Sequence, residues 1–210
     1  FAPLNKNFMI LWDNAYACHD LKETTPQTNA SVIAKEFNIE DNIFHFGSTS
    51  KMTLAGSGIS FLSSSKENLD KFIDYRNSVT VGPNKMNQGL HVAYFKIMPI
   101  KEQMQKMKEI LLPKFEITDH YLSMLKDERL GSVSNPTGGY FFSYDSKKSN
   151  CVEIIDTCQK LNLKLLPPGS SFPYNNDPDK KNIRIAPTFP SNDELEKSMK
   201  ILTSVVKHLN

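Results

Sequence analysis

The sequence predicts an α/β fold that passes into a smaller α+β segment towards its end. Three observations predict it. Phe8, Met9, Ile10, Leu11 and Trp12 form a continuous apolar run, fit for a strand buried on both faces, and Ile43, Phe44 and Phe46 form a second short one. A long amphipathic stretch follows at 100–125. From Gly131 onward the pattern changes to short strands and helices in alternation.

Each element has a local reason. The first strand covers residues 7–12 and runs into Asp13, Asn14, Ala15 and Tyr16. Residues 31–37 read as a short helical turn, 42–46 as the second strand, and the alternation at 58–63 as a third. Leu69, Phe72 and Ile73 carry helical spacing within 66–76. A turn at Val81, Gly82 and Pro83 leads into a helix over 84–97. In the stretch 100–125 the apolar positions are Met104, Met107, Ile110, Leu111 and Phe115, and Pro113 predicts a kink or an interruption. Asn135-Pro136-Thr137-Gly138 reads as a turn, with Gly138 free to take positive φ. Strands at 140–144, 164–166 and 183–186 and a helix at 151–161 complete the α+β segment. Ser191, followed by Asp193 and Glu194, caps a terminal helix reaching His208.

Composition narrows the function classes. A chain of 210 residues, 39% hydrophobic with a formal charge of +2, is that of an ordinary soluble protein, as one large domain or two small ones. Lysines are scattered among almost as many acids, so no basic patch argues for nucleic acid. Cys18, Cys151 and Cys158 show no metal spacing, and their odd number fits a reducing cytosol better than a disulfide framework. His45 and His91 lack partners at metal spacing, so no metal site is expected. No signal peptide opens the chain, and no apolar run approaches the roughly 18 residues of a membrane span.

Chemistry gathers at three anchors. Lys51 follows a hydroxyl-rich turn and precedes the small residues Thr53 to Gly58, a tight region in which desolvation would favour the neutral, nucleophilic amine. Ser48 and Ser50 can offer donors to an anion beside it. A surface lysine after an ordinary Ser/Thr turn is the plainer alternative. Asp13 and Tyr16 end an apolar strand, where open α/β sheets place their ligands. Arg184 interrupts the apolar strand at 183–186 and is one of three arginines, with Arg76 and Arg129. A guanidinium there calls for a carboxylate.

The order Asp13-x-x-Tyr16, then Phe46-Gly47-Ser48-Thr49-Ser50-Lys51, then Asn182-Ile183-Arg184-Ile185-Ala186-Pro187 resembles the fold-type I pyridoxal-phosphate (PLP) aminotransferases. The similarity is greatest to the MocR-like branch labelled aspartate aminotransferase, and Pro167-Pro168-Gly169-Ser170-Ser171-Phe172-Pro173-Tyr174 adds to it. The resemblance implies the C-terminal part (1–98) of a PLP-binding large domain with a mainly parallel sheet, an interdomain helix (99–130), and an α+β small domain (131–210). It also implies a cytoplasmic homodimer whose first half lies outside this chain.

By the same resemblance Lys51 holds PLP as an internal aldimine, Asp13 pairs with the pyridine nitrogen, and Tyr16 bonds the ring oxygen. Ser48 and Ser50 hold the phosphate, and Arg184 grips the substrate α-carboxylate. The implied reaction is amino-group exchange between an amino acid and a 2-oxo acid, aspartate and 2-oxoglutarate foremost. Another PLP reaction, or the effector-sensing domain of a MocR-type regulator, is the alternative. One departure stands out. Many aminotransferases brace the phosphate with an arginine shortly after the lysine, but here that region is Gly58-Ile59-Ser60. Asn84 or Lys85 are the substitutes, reaching a neighbouring subunit's site.

Overall fold

Strand β1 (Ile10–Asp13) pairs in parallel with β2 (Ile43–Ser48), Ile10 opposite Ile43 and Asp13 opposite Phe46. The computed structural model describes residues 7–22 and 28–210, which form two compact units. The first takes residues 7–19 and 28–106, the second 20–22 and 107–210.

In the first unit β3 (Ser60–Ser63) lies antiparallel on the other side of β2, giving the order β1-β2-β3. The mainly parallel sheet expected from the sequence is thus represented by one parallel pairing. Helix α1 (Ala30–Glu36) starts where the Asn29 side chain accepts the N–H groups of Ser31 and Val32. Its Ala30 and Ala34 bury against Ile43, with Ile10 and Ile39 packed around them. The rest of this sheet departs from expectation. Leu11 is 69% exposed and Phe61 57%, so β1 is not buried on both faces; nothing among the described residues covers it. Helix α2 (Lys66–Val79) also buries none of its residues, and Phe72 and Ile73 are exposed despite their helical spacing. Helix α3 (Lys85–Ile97) buries only His91.

Helix α4 (Ile100–Asp127) begins in the first unit and continues into the second. Its buried residues Leu111, Lys114, Phe115, Thr118, Leu122 and Leu125 are spaced by threes and fours, which is one face of a helix. Ile110 falls off that face and is exposed. The helix runs through Pro113 without interruption. A proline in a helix interior costs about 3 kcal/mol. Buried side chains on both sides of it, each worth about 1.5–3 kcal/mol, outweigh that cost.

In the second unit β4 (Gly131–Val133), β5 (Phe142–Ser146) and β6 (Asn182–Ile185) form an antiparallel sheet in that order. Helices α5 (Cys151–Lys160) and α6 (Asn192–Leu209) pack with it, closing a core around Phe142, Tyr144, Ile154, Ile183, Met199 and Leu202. The Ser191–Glu194 capping box opens α6 where the sequence placed it. Two expectations shift. The strand expected at 140–144 lies at Phe142–Ser146. Residues 164–166 form no strand, although Leu163 and Leu165 pack at the core's edge. At the Asn135–Gly138 turn the positive φ falls on Gly139 (80°) rather than Gly138. Thr137 instead accepts the N–H groups of Leu21 and Lys22, both at 2.9 Å.

Candidate active site

Asp13 and Ser48 are the last residues of the parallel strands, so each leads its chain off the carboxyl end of the pair. Ligands in open α/β sheets collect at that end. Asn14 carries the pairing one step further, its N–H donating to the Phe46 carbonyl at 2.9 Å. Its side-chain amide donates to His45 Nε2 at 3.3 Å. The Asp13 carboxylate accepts the Ala15 N–H at 3.2 Å and is otherwise exposed, leaving lone pairs for a cationic partner. Tyr16 sits half-buried in the turn that follows, its ring edge-on to His19 at 5.2 Å.

On the neighbouring segment the hydroxyl turn is internally wired. Ser48 Oγ accepts the Ser50 N–H at 3.1 Å and donates to Ser50 Oγ at 2.9 Å. The Ser50 hydroxyl hydrogen is therefore left to a further acceptor, such as a phosphate oxygen. The N–H groups of Met52 and Thr53 both donate to the Thr49 carbonyl at 2.9 Å, a single tight turn around Lys51. Gly58 closes against this turn. A Cβ there would stand 2.6 Å from Ser50 Cα and 2.7 Å from Ser50 N, so only glycine lets the two backbones meet. Lys51 itself is exposed. The poorly solvated surroundings expected for it are not supplied by the described residues, because Leu54, Ala55, Gly56 and Ser57 all face outward. The Asn84 side-chain oxygen caps α3 by accepting the Asn87 N–H at 3.0 Å, which leaves its amide N–H groups as donors.

Arg184 belongs to the second unit, on β6 opposite Ser143. Its guanidinium lies 4.7 Å from the Phe141 ring centroid, a cation–π contact. It forms no ion pair among the described residues, and its Nε is buried without a hydrogen-bond acceptor. Leaving such a donor unmet costs about 1–3 kcal/mol. A carboxylate offering two oxygens removes that cost.

Asp177 fixes the approach to this strand. Its carboxylate accepts the backbone N–H groups of Asp179, Lys181 and Asn182 at 2.8–3.1 Å. Burial pushes this carboxyl up, but the hydrogen bonds from the Asn182, Lys181, Asp179 and Lys180 backbone outweigh it and hold it below its ordinary value. Beyond β6, the buried Lys114 of α4 donates to the Thr188 carbonyl at 2.8 Å. Sequence reasoning passed over Asp177 and Lys114, though Asp177-Pro178-Asp179 carries the turn chemistry that could have marked the first.

Fit to PLP can be judged from the donor set. A carboxylate suits a protonated ring nitrogen, hydroxyls suit a phosphate, a phenol suits the ring oxygen and an amine suits the aldehyde. Asp13, Ser48, Ser50, Tyr16 and Lys51 supply all of these in one unit, on the segments leaving β1 and β2. Among the described residues no group of histidines, cysteines or acids could hold a metal, and no helix is long and apolar enough to cross a membrane.

The sequence matches the aspartate amino-transferase family over residues 2–209. The chain belongs to this family. An aspartate aminotransferase of Corynebacterium glutamicum is 37% identical over 199 residues, which are 92% of this chain and 45% of that protein. The solved structure of an aspartate transaminase from the same species superposes with a TM-score of 0.87 at 32% identity, covering 97% of this chain and 50% of the other. The α-aminoadipate aminotransferase of Thermus thermophilus, solved with N-(5'-phosphopyridoxyl)-L-leucine, shares the fold with a TM-score of 0.79 at 18% identity. It is covered over 98% of this chain and 52% of its own. This aminotransferase-family chain spans about half the length of the curated relatives it matches.

Proposed function

We propose that this chain supplies the lysine-bearing part of a PLP-dependent aminotransferase that exchanges an amino group between an amino acid and a 2-oxo acid, with aspartate and 2-oxoglutarate as the pair. The observation that supports the reading is that Asp13 and Ser48 end two paired parallel strands, so the segments bearing Tyr16, Ser50 and Lys51 leave the same end of that pair. PLP, when bound, withdraws electrons from the substrate Cα. Asp13 keeps the ring nitrogen protonated by offering it a carboxylate, and Tyr16 donates to the ring oxygen. Ser48 and Ser50 hold the phosphate, fixing the ring against rotation. With PLP bound, the Lys51 amine would accept the proton released from the substrate Cα. Arg184 orients the substrate by its α-carboxylate, a role supported by its unmet buried Nε.

The same reading makes the protein a homodimer, supported by the apolar side chains that α2 and α3 leave exposed, among them Val79, Met86 and Leu90. Three unbonded cysteines support a cytosolic setting. The deciding experiment is borohydride reduction of the full-length protein with PLP, followed by peptide mass spectrometry. A pyridoxyl adduct on Lys51 is the expected result. Lys51→Ala should abolish the adduct and lower kcat by at least about 10²–10⁴-fold. An adduct elsewhere, or none, ends the reading.

A further inference from the structure

Two buried histidines, neither given a role in the chemistry above, contact the turn that carries Lys51. His19 lies where the chain leaves the β1 turn and is 3% exposed. Its Nε2 sits 3.2 Å from the Lys51 carbonyl, and because a carbonyl only accepts, this nitrogen carries the hydrogen. His91 is the only buried residue of α3. Its Nδ1 donates to the Asn87 carbonyl at 2.9 Å, one helical turn back. Its Nε2 faces two hydroxyls, Thr49 Oγ at 3.1 Å and Thr53 Oγ at 3.0 Å.

These hydroxyls flank Lys51 two residues before and two residues after it. Thr49 is also tied to the β3 side, its N–H donating to the Ile59 carbonyl at 2.9 Å and its Oγ accepting the Ile59 N–H at 3.0 Å. Thr53 Oγ reaches back to the Thr49 carbonyl at 3.1 Å. Gln103, at the start of α4, donates to the Met52 carbonyl at 3.0 Å. Every backbone position from 49 to 53 is therefore held by a group on another element or by the turn itself, while the Lys51 side chain is exposed. An exposed lysine on an ordinary surface turn has no need of buried polar groups beneath its backbone, each of which must be desolvated.

We infer that His19 and His91 are positioning residues: they fix the backbone from which Lys51 projects and so hold its amine at the place where the proton is moved. The inference rests on the reading of Lys51 as the cofactor lysine. A displacement of about 1 Å at a reacting group costs up to about 10²-fold in rate. The contact that sets it is hydrogen bonding by the imidazole ring, so a residue with an amide in the same place should serve in part.

The test uses the full-length protein with PLP. Wild type is first reduced with borohydride, and an adduct on Lys51 establishes the underlying reading; its absence would sink that reading before the histidines are considered. With the adduct in hand, His91→Phe, His91→Gln, His19→Phe and Thr53→Val are compared with wild type. The readouts are kcat, KM for the amino donor, thermal midpoint, and the pH titration of the bound cofactor's visible absorbance. His91→Phe and His19→Phe are expected to lower kcat by about 10–100-fold and displace the absorbance titration, with KM unchanged. His91→Gln should recover part of the loss. Thr53→Val, which removes one hydroxyl without changing shape, should move both readouts in the same direction, so a His91→Phe protein that fails to fold leaves the question answerable. Unchanged kcat and absorbance in Thr53→Val and the folded histidine variants overturns the inference. So does a loss of kcat that follows the thermal midpoint alone, with no rescue by glutamine.

Discussion

Glycine at position 58 illustrates how little side chain the site can tolerate at its tightest point. The Ser50 backbone lies where a Cβ would go, and backbone cannot swing aside as the tip of a long side chain can. Gly58→Ala is therefore expected to lower stability by about 1–3 kcal/mol, read from urea midpoints. Much of this turn was legible in the sequence. The run Gly47 to Lys51 announces a strand end, hydroxyl donors and an amine, and Asp13 and Tyr16 announce themselves by ending an apolar strand. Histidines 19 and 91 were not legible. Each lies 32 or more positions from the residues it holds, and no spacing rule links residues brought together only by folding. The small residues after Lys51 do not bury it, because residues 54–57 face solvent, and small size alone does not report enclosure.

Among the elements, the contrast between α2 and α4 is instructive. Both show apolar residues at helical spacing, yet α4 buries six residues of one stripe and α2 none. Periodicity reports that a helix has an apolar face; it does not report what meets that face. The ion pairs Lys66–Asp70 and Lys71–Glu67 on α2 contribute little because they are exposed. Phe115→Ala in α4 removes a ring that lies 4.8 Å from Phe142 and is 1% exposed, and should cost about 3–5 kcal/mol in denaturant unfolding.

The segment before β6 depends on pH in a defined direction. Asp177 has a folded-state pKa below its ordinary 3.8, so its contribution is complete above that value and is lost as the pH falls through the lower, folded-state one. Asp177→Asn should be less stable than wild type at pH 7 and approach it as the pH falls below the folded-state pKa, in paired urea titrations. A variant that lagged wild type equally at pH 7 and below that pKa would assign the effect to shape rather than charge.

For the whole molecule, the two units differ in how completely they are enclosed. The second has a continuous core in which Leu122, Leu125, Tyr144, Ile154 and Val206 are fully buried, and the first leaves Leu11 and Phe61 open. The apolar runs of β1 and β2 are written for a covered sheet, and the chain spans about half the length of its curated relatives. Fold class could be read because it depends on local patterning; sheet burial could not, because it depends on residues elsewhere. The small strip at 20–22 has a practical outcome. Leu21 is 3% exposed in the second unit's core, and two adjacent N–H groups there share the Thr137 carbonyl, yet the strip is more than 80 positions upstream of Met107 in the chain. Cutting the gene at Met107 would therefore excise a body with a missing plug: residues 107–210 alone should unfold about 2–5 kcal/mol more easily than the same stretch with residues 20–22 rejoined through a flexible tether.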